Sequence, residues 1–442
     1  MTEPLALTDN MVEAALAAGA SDADATLTIA KRFSTEARAR TIEKLERATS
    51  RTLSLRVFVD GGKATLTTSD FSEDGLRRLV GETVAAARHV TNDPLAGLPE
   101  RAETPPALDL QIEDPEVQTR DDESKLGDAL ALESTARSFD ARIVNSGGSR
   151  VSDSTVTTAL TNSRGFRGQY TGTSVARSTN PIAADGDQKR TSSYGSAARG
   201  YRDVEPVESI ATLAARRAVE SIGAHKPPSM RCPVIFERDV AGQILSDLFN
   251  SISAQNVAIG NSFLIDRIGS KIGSDLVTIV DDGLLPRGLG SSPFDAEGVP
   301  TRLTTVFEGG VLRTYLYDTY YGRKLGAAST GNSSGSGIGP NNFFLLPGTQ
   351  TLEELIAATE RGVLILDTIG FATEYVTGTY SRGAHGFLIE KGELAAPIDE
   401  FTIAGNLGEM LASIDAVAAD LRFDSSTVSP SFRVREMTVS GN

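Results

Sequence analysis

The chain has 442 residues, 40% of them hydrophobic and 23% charged, which is enough for about two to four domains with apolar cores. Lysine and arginine total 43 against 58 acids, a formal net charge of −15, and the short basic patches have acids beside them, so a phosphate backbone would be repelled and nucleic acid is excluded as the expected main ligand. No apolar run approaches the roughly 20 residues that cross a bilayer, MTEPLALTDNMVEAAL lacks the basic and apolar regions of a signal peptide, and the single cysteine, Cys232, excludes an internal disulfide or a multi-cysteine zinc site. A cytoplasmic, non-membrane protein is expected, with Cys232 buried at the edge of the apolar run CPVIF.

In chain order, LTDNMVEAALAAGA reads as a helix opened by the Thr8 hydroxyl and closed by Gly19, which accepts a left-handed turn. ATLTIA and RTLSLRVFVDGGKATLTT alternate apolar with polar residues, and Asp60-Gly61-Gly62 marks a tight hairpin. A second helix, about Ser72 to His89, stripes Leu76, Leu79, Val80, Val84 and Ala87 on one face. Pro94, Pro99, Pro105 and Pro106 then mark a linker. The order repeats: a helical pattern over 124–139, polar strands over 141–202, and a helix striped by Val207, Ile210, Ala211, Ala214, Ala218 and Ile222.

From Pro233 onward the texture changes. PVIFERDVAGQILSDLFNSIS reads as a buried strand leading into a helix, and LVTIVDDG as a strand ending in a turn. Hairpins are expected at Gly309-Gly310 and Lys391-Gly392, a closing helix over about 407–421, and a final strand in SFRVREMTVSG. The fold class is therefore α+β: two N-terminal helix/β-meander/helix units, 1–93 and 122–226, joined by a Pro-rich linker at 94–121. A hairpin-rich, curved-sheet or barrel-like C-terminal domain follows over 227–442.

Two segments invite a chemical reading. Gly331-Asn332-Ser333-Ser334-Gly335 spells G-x-S-x-G, and Asp367 and His385 follow in the chain order of an α/β-hydrolase triad. A nucleophile elbow needs a strand before the serine and a helix after it. GRKLGAAST precedes it without strand alternation, and GSGIGPNN follows with glycines and Pro340 that oppose a helix. A serine hydrolase using Ser333, Asp367 and His385 is thus the runner-up enzyme. The second segment, YSRGAHG, gathers Tyr380, Ser381, Arg382 and His385 in what reads as a glycine-rich turn before a strand; Arg382 could clamp a peptide carboxylate and His385 could donate to a carbonyl, or the turn could merely reverse the chain. The other histidines, His89 and His225, are expected to be exposed.

VTIVDDG, FDAEG at 294–298, TGN at 330–332, PGTQTLEELI, ERGVLI, VTGTYSRGAHGFLIEKGEL and FTIAGNL together resemble the TldE (PmbA) branch of the TldD/PmbA family across nearly the whole chain. The resemblance implies a subunit of a TldD/TldE heterodimer, a cytoplasmic zinc metalloprotease that admits unfolded peptides to an enclosed cavity and is associated with peptide maturation and antitoxin degradation. It implies too that zinc belongs to the TldD-like partner, bound by HExxxH on a helix of the third domain. The equivalent helix here reads Ser246-Asp247-Leu248-Phe249-Asn250-Ser251, so no metal or cofactor is expected in this chain. The substrate-binding expectation falls on Asn332, Ser333 and Asn341 in a long flexible loop, with Asn342 beside them, and on Tyr380, Ser381, Arg382 and His385. The loop's amides would pair with a peptide main chain as strand addition does. A homodimer of the isolated chain, and a regulatory protein that modulates DNA gyrase, are the further readings.

Overall fold

The first strands are far longer than their apolar cores. In the computed structural model, which describes residues 3–370 and 373–441, helix α1 (Pro4–Ala17) leads into β1 (Asp22–Arg38), β2 (Thr41–Val59) and β3 (Gly62–Thr68), and α2 (Glu73–His89) closes the unit. Met1 and Asn442, the outer limits of the expected domains, lie outside the described residues. Helix α1 starts before Thr8: a proline sits in its first turn, and the buried Thr8 hydroxyl instead meets Thr161 at 2.8 Å. The expected cap is therefore wrong, because a proline's fixed φ opens a helix without a capping hydroxyl. Gly19 does follow the helix end, at φ 98°. Helix α2 falls where it was expected, and Ser72 caps it, accepting from Gly75 N.

The second unit runs α3 (Pro115–Thr119), α4 (Asp122–Ser138), β4 (Ile143–Asn162), β5 (Arg167–Asp185), β6 (Gln188–Thr191), β7 (Tyr194–Ala198) and α5 (Val207–Glu220). It does not build a sheet of its own. Strand β4 pairs β1, giving one sheet in the order β3-β2-β1-β4-β5-β6 with β7 on β5, curled into a half-barrel. Leu27, Leu55, Val57 and Ala159 pack under α1 and α2, while Ile143, Val151 and Ala183 pack under α4 and α5. Because side chains alternate faces along a strand, the residues between these point away from the helices. That face is polar: Thr26, Thr28 and Thr158 lie on it, with Thr28 directly opposite Thr158.

The third part comprises β8 (Met230–Phe236), α6 (Arg238–Ile252), α7 (Ala254–Ala258), β9 (Ile279–Asp282), β10 (Leu303–Glu308), β11 (Val311–Leu312), α8 (Thr319–Leu325) and β12 (Phe343–Leu345). It continues through α9 (Leu352–Ala357), β13 (Arg361–Ile369), β14 (Thr373–Glu374), β15 (Thr379–Glu390), β16 (Glu393–Asn406), α10 (Leu407–Ala412), β17 (Ile414–Val417), β18 (Thr427–Val428) and β19 (Phe432–Ser440). Strands β13, β8, β19, β16 and β15 pair in that order, and β13 also pairs β15, which closes a five-stranded barrel. Closure removes the free edges. A second sheet, β11-β10-β9-β12-β18, sits beside it, and α6 packs Ile244, Leu248 and Ile252 into the core they share. The expected closing helix is cut short: α10 has six residues, and Ile414 and Val417 pair with Val434 and Phe432 instead. An apolar run this short has no preference strong enough to resist strand pairing.

Three fastenings join the parts. Phe294 enters a cluster with Leu160, Phe166 and Tyr170, its ring centroid 4.9 Å from Phe166 and 5.2 Å from Tyr170, each such pair contributing about 0.5–1.5 kcal/mol beyond its area. Gly168 must be glycine there, since a Cβ would stand 2.6 Å from the Phe294 ring. Arg199, buried and without a carboxylate partner among the described residues, donates to the carbonyls of Thr173, Gly288, Leu289 and Ser291. Finally, the proline-marked segment is extended but not loose: Arg323 of α8 donates to the carbonyls of Leu95, Gly97 and Leu98, and Leu98, Leu110 and Ile112 are buried.

Candidate functional site

Residues 326–342, between α8 and β12, contain neither helix nor ladder strand, and their conformation is set by two buried carboxyls. Asp281, on β9, accepts from Asn332 Nδ2 at 2.7 Å, Asn341 N at 2.9 Å and Asn341 Nδ2 at 3.0 Å. Burial pushes its pKa up to about 6 although these donors oppose the rise. Asp295, in the turn after Phe294, accepts through Oδ1 from Glu297 N at 2.9 Å and Val299 N at 3.0 Å, and through Oδ2 from Ser333 N at 3.0 Å. Burial, followed by the neighbouring Glu297 carboxylate, pushes Asp295 up to about 7.

This arrangement corrects the picture of a flexible loop with free amides. Asn332 is 2% exposed, and its amide is committed to Asp281 and to the Gly339 carbonyl. Asn341 is likewise held by Asp281 and Gly331, and Asn342 by the Asp282 carbonyl and Ser291. The physical reason is the buried charge: a carboxylate taken out of water recruits every nearby N–H. Ser333 is no elbow serine, for no strand precedes it and no helix follows.

Asn332, Ser333 and Asn341 nonetheless come together on the wall of one cavity of about 320 Å³. Its opposite wall is the polar face of the N-terminal sheet, presenting Thr26, Thr28, Thr158 and Tyr170. The register explains the company: Thr28 faces Thr158, and Thr158 faces Tyr170, so the three share a face. Beyond Ser333 a neighbouring cavity of about 450 Å³ is lined by Arg56, Glu297 and Asp318 among others. Arg56 Nε binds Asp24 Oδ2 at 2.6 Å and its Nη1 lies 3.7 Å from Glu297. A third cavity, about 270 Å³ between α6 and residues 422–429, is walled by Arg422 and Asp424, which already pair with each other.

The second group of expected residues lies elsewhere. YSRGAHG is not a turn but the first half of β15, paired with both β16 and β13. Its glycines serve close packing: a Cβ on Gly386 would stand 1.8 Å from the Leu364 carbonyl oxygen. Tyr380 is 1% exposed in the barrel core, which removes it as a contact for any ligand, and Ser381 is half-buried opposite Ala404. Arg382 Nη2 binds Asp247 Oδ2 at 2.7 Å, so its guanidinium is not a free clamp. His385 Nε2 lies 2.8 Å from Ser221 Oγ. Ser221 donates its own proton to the Arg217 carbonyl, which leaves Nε2 as the donor. Burial holds the imidazole below its usual 6.5, against the pull of Asp399 and Asp367. The triad is therefore not assembled: the Ser333 hydroxyl accepts from Gly335 N, while His385 is engaged by a different serine. His89 and His225 are exposed, as expected.

On α6, at the position where the resemblance would put HExxxH, Asp247 accepts from Arg382 and from Thr373 Oγ1 at 2.8 Å. Ser246 donates to Gly242 O, and Ser251 is fully buried. These donors do not fit zinc: two hydroxyls replace imidazoles, and a guanidinium already neutralises the one carboxylate and would repel a divalent cation. Among the described residues no group of three or more His, Cys, Asp or Glu side chains is placed to hold a metal. Nor is any described helix long and apolar enough to cross a membrane.

Sequence reasoning missed Asp281 and Asp295 as site groups, although VTIVDDG and FDAEG were in view, because burial cannot be read from a turn motif. It also missed the sheet wall, whose threonines look like ordinary solvent-facing strand positions.

Comparison with known proteins bears directly on this architecture. Residues 23–87, 115–222 and 229–441 match, respectively, domain 1, the central domain and the C-terminal domain of the PmbA/TldA metallopeptidases. The chain is 33% identical to a metalloprotease PmbA homolog of Haemophilus influenzae over 98% of its length and 94% of the relative's, and 30% identical to metalloprotease PmbA of Escherichia coli O157:H7 over 96% and 94%. A crystal structure from Bacteroides thetaiotaomicron, named as a candidate modulator of DNA gyrase, superposes with a TM-score of 0.94 at 26% identity, covering all of both chains. TldE from Thermococcus kodakarensis shares the fold, with a TM-score of 0.90 at 20% identity over 98% of this chain and 99% of that one. With its three domains matched in order and its relatives aligned end to end, the chain belongs to the PmbA/TldD metallopeptidase family.

Proposed function

We propose that this protein is a TldE-like, noncatalytic subunit of a cytoplasmic zinc metallopeptidase, in which a TldD-like partner holds the zinc and this chain helps to enclose an unfolded peptide. The observation that carries the reading is the pairing of Asp247 on α6 with Arg382 on β15. The acid at the register where a glutamate would activate a zinc-bound water is neutralised by a guanidinium, so it is not available as a base. The cavity bounded by Asn332, Ser333 and Asn341 is the proposed contribution to peptide contact, with those residues shaping the wall. Arg382 and His385 hold β15 in place, and Tyr380 and Ser381 belong to that support.

The test is hydrolysis of an unfolded peptide by the purified chain, alone and mixed with a TldD-like partner, with and without a zinc chelator. Activity only in the mixture, abolished by chelation, is expected. Chelator-resistant turnover by the chain alone would overturn the reading. A second reading, a regulatory binding protein, is favoured by structural neighbours named as candidate gyrase modulators; it requires binding to a topoisomerase without proteolysis, and the net charge of −15 directs that contact to protein and not to DNA.

A further inference from the structure

We propose that the cavity between the sheet face and the Ser333 loop is a binding site for the protonated amino end of a peptide, with Asp295 as its counter-charge. The inference rests on the reading that this chain handles peptides, and it adds which end is held.

The lining has a definite chemistry. Hydroxyls from Thr26, Thr28, Thr158, Tyr170 and Ser292 surround it, and Asp295 is its one ionisable acid, with no lysine, arginine or histidine on the wall. Such a wall disfavours a carboxylate or phosphate, whose charge would meet a like charge and no cation. An ammonium group needs the converse: several acceptors around three N–H donors and one anion nearby. Asp295 supplies the anion. Its Oδ1 accepts two N–H groups and its Oδ2 only that of Ser333, which leaves one acceptor position free on a carboxylate that offers about four. The volume of about 320 Å³ is at the small end of ligand pockets, about 300–1,000 Å³, and suits the end of a chain better than a folded partner.

The electrostatics behind the wall point the same way. Asp295 is flanked by Glu297, which shares Arg56 with Asp24. Three carboxyl groups thus share one nearby guanidinium. Lys63 acts on Asp24, Asp318 on Glu297, and Arg199 on Tyr170, which faces Asp295 across the cavity; the four carboxyl groups Asp24, Asp295, Glu297 and Asp318 still outnumber the cations Arg56, Lys63 and Arg199. Full ionisation leaves the region negative, and a bound ammonium relieves the excess. Burial holds Asp295 near 7, and a peptide α-amino group titrates at about 7.7–8.0. Both partners are therefore largely charged only in a window just above neutrality, and binding should weaken towards pH 5.5 as Asp295 takes up its proton.

The experiment is titration calorimetry of the purified full-length chain with trialanine amide and with N-acetyl-trialanine amide, at pH 7.5 and pH 5.5. The free amine should bind at least tenfold more tightly than the acetylated peptide at pH 7.5, and the preference should shrink at pH 5.5. Asp295→Asn should abolish it. If that variant does not fold, Ala296→Leu, which adds bulk to the wall of the same cavity and keeps the Asp295 carboxyl in place of an amide, should abolish binding of the amine. Equal binding of both peptides overturns amino-end recognition while leaving peptide handling intact. No binding of either overturns the cavity as a site, whereas the subunit reading stands or falls separately on hydrolysis by the mixed complex.

Discussion

Removing either partner of the Asp247–Arg382 pair should cost far more than removing both. The side chains are only 10% and 11% exposed, and breaking a buried ion pair by deleting one member typically costs about 3–5 kcal/mol, because the survivor is left buried and uncompensated. Asp247 keeps Thr373 Oγ1 at 2.8 Å and the Tyr375 hydroxyl at 3.4 Å, which offsets part of the loss, so about 2–4 kcal/mol is expected for Arg382→Ala. Asp247→Ala should cost about the same, since among the described residues Arg382 would keep the Gly370 carbonyl at 3.3 Å and its stacking on Tyr380. The double change Asp247→Leu with Arg382→Met should fall within about 1 kcal/mol of the native protein, because an apolar pair of similar volume avoids the desolvation cost. The chain has no tryptophan, so urea unfolding is best followed by far-UV circular dichroism. A coupling energy below about 0.5 kcal/mol, with the two single losses simply adding, would refute the argument. The double variant should also support full peptide hydrolysis with a TldD-like partner; loss of turnover in a folded complex would give Asp247 or Arg382 a role in the chemistry.

Arg199→Met should destabilise the protein by about 3–5 kcal/mol, because the carbonyls of Thr173, Gly288, Leu289 and Ser291 lose their shared donor; limited proteolysis should then cut residues 285–291 first, and unchanged protection would contradict the clamp. Burial pushes the Asp295 carboxyl up to about 7 from an ordinary 3.8, so the folded state binds the proton more tightly, and stability attributable to this group falls as pH rises from about 4 to about 7. At about 1.4 kcal/mol per pH unit the span is on the order of 4 kcal/mol; Asp295→Asn should therefore gain stability relative to the native protein between pH 5 and pH 8, and a difference independent of pH would refute this. The Cys232 thiol, buried and pushed up to about 11 chiefly by desolvation, should react with a thiol reagent at pH 8 only after unfolding; rapid labelling of the native protein would show that strand β8 opens.

Much of the local structure was legible because its causes are local. The hairpins at Asp60-Gly61, Gly309-Gly310 and Lys391-Gly392 all form with positive φ at both turn residues, as that turn geometry requires whatever lies around it. The amphipathic stripe of α2 buries Leu79, Val80 and Val84 as its spacing predicts. YSRGAHG misled for the opposite reason: its glycines admit a turn, but in the barrel they let β13 approach β15, a contact made by residues about 20 positions away. The polar loop at 330–342 misled in the same manner, since nothing within it announces that Asp281, some 50 residues earlier, will bind its asparagines.

The sequence by itself determined most of the long helices and strands, the three hairpin turns, the α+β class and the family resemblance, all properties carried by residue spacing and by segments read one at a time. Tertiary structure alone decided that two meander units share one sheet, that the barrel closes, and that Thr26, Thr28 and Thr158 meet Asp295 and Ser333 across one cavity. It also decided that His385 belongs to Ser221 and Arg382 to Asp247. The physical reason is that burial and charge pairing are set by residues distant in the chain: a carboxyl's pKa and a histidine's partner depend on what the fold brings within a few ångströms, which spacing along a strand or helix does not encode.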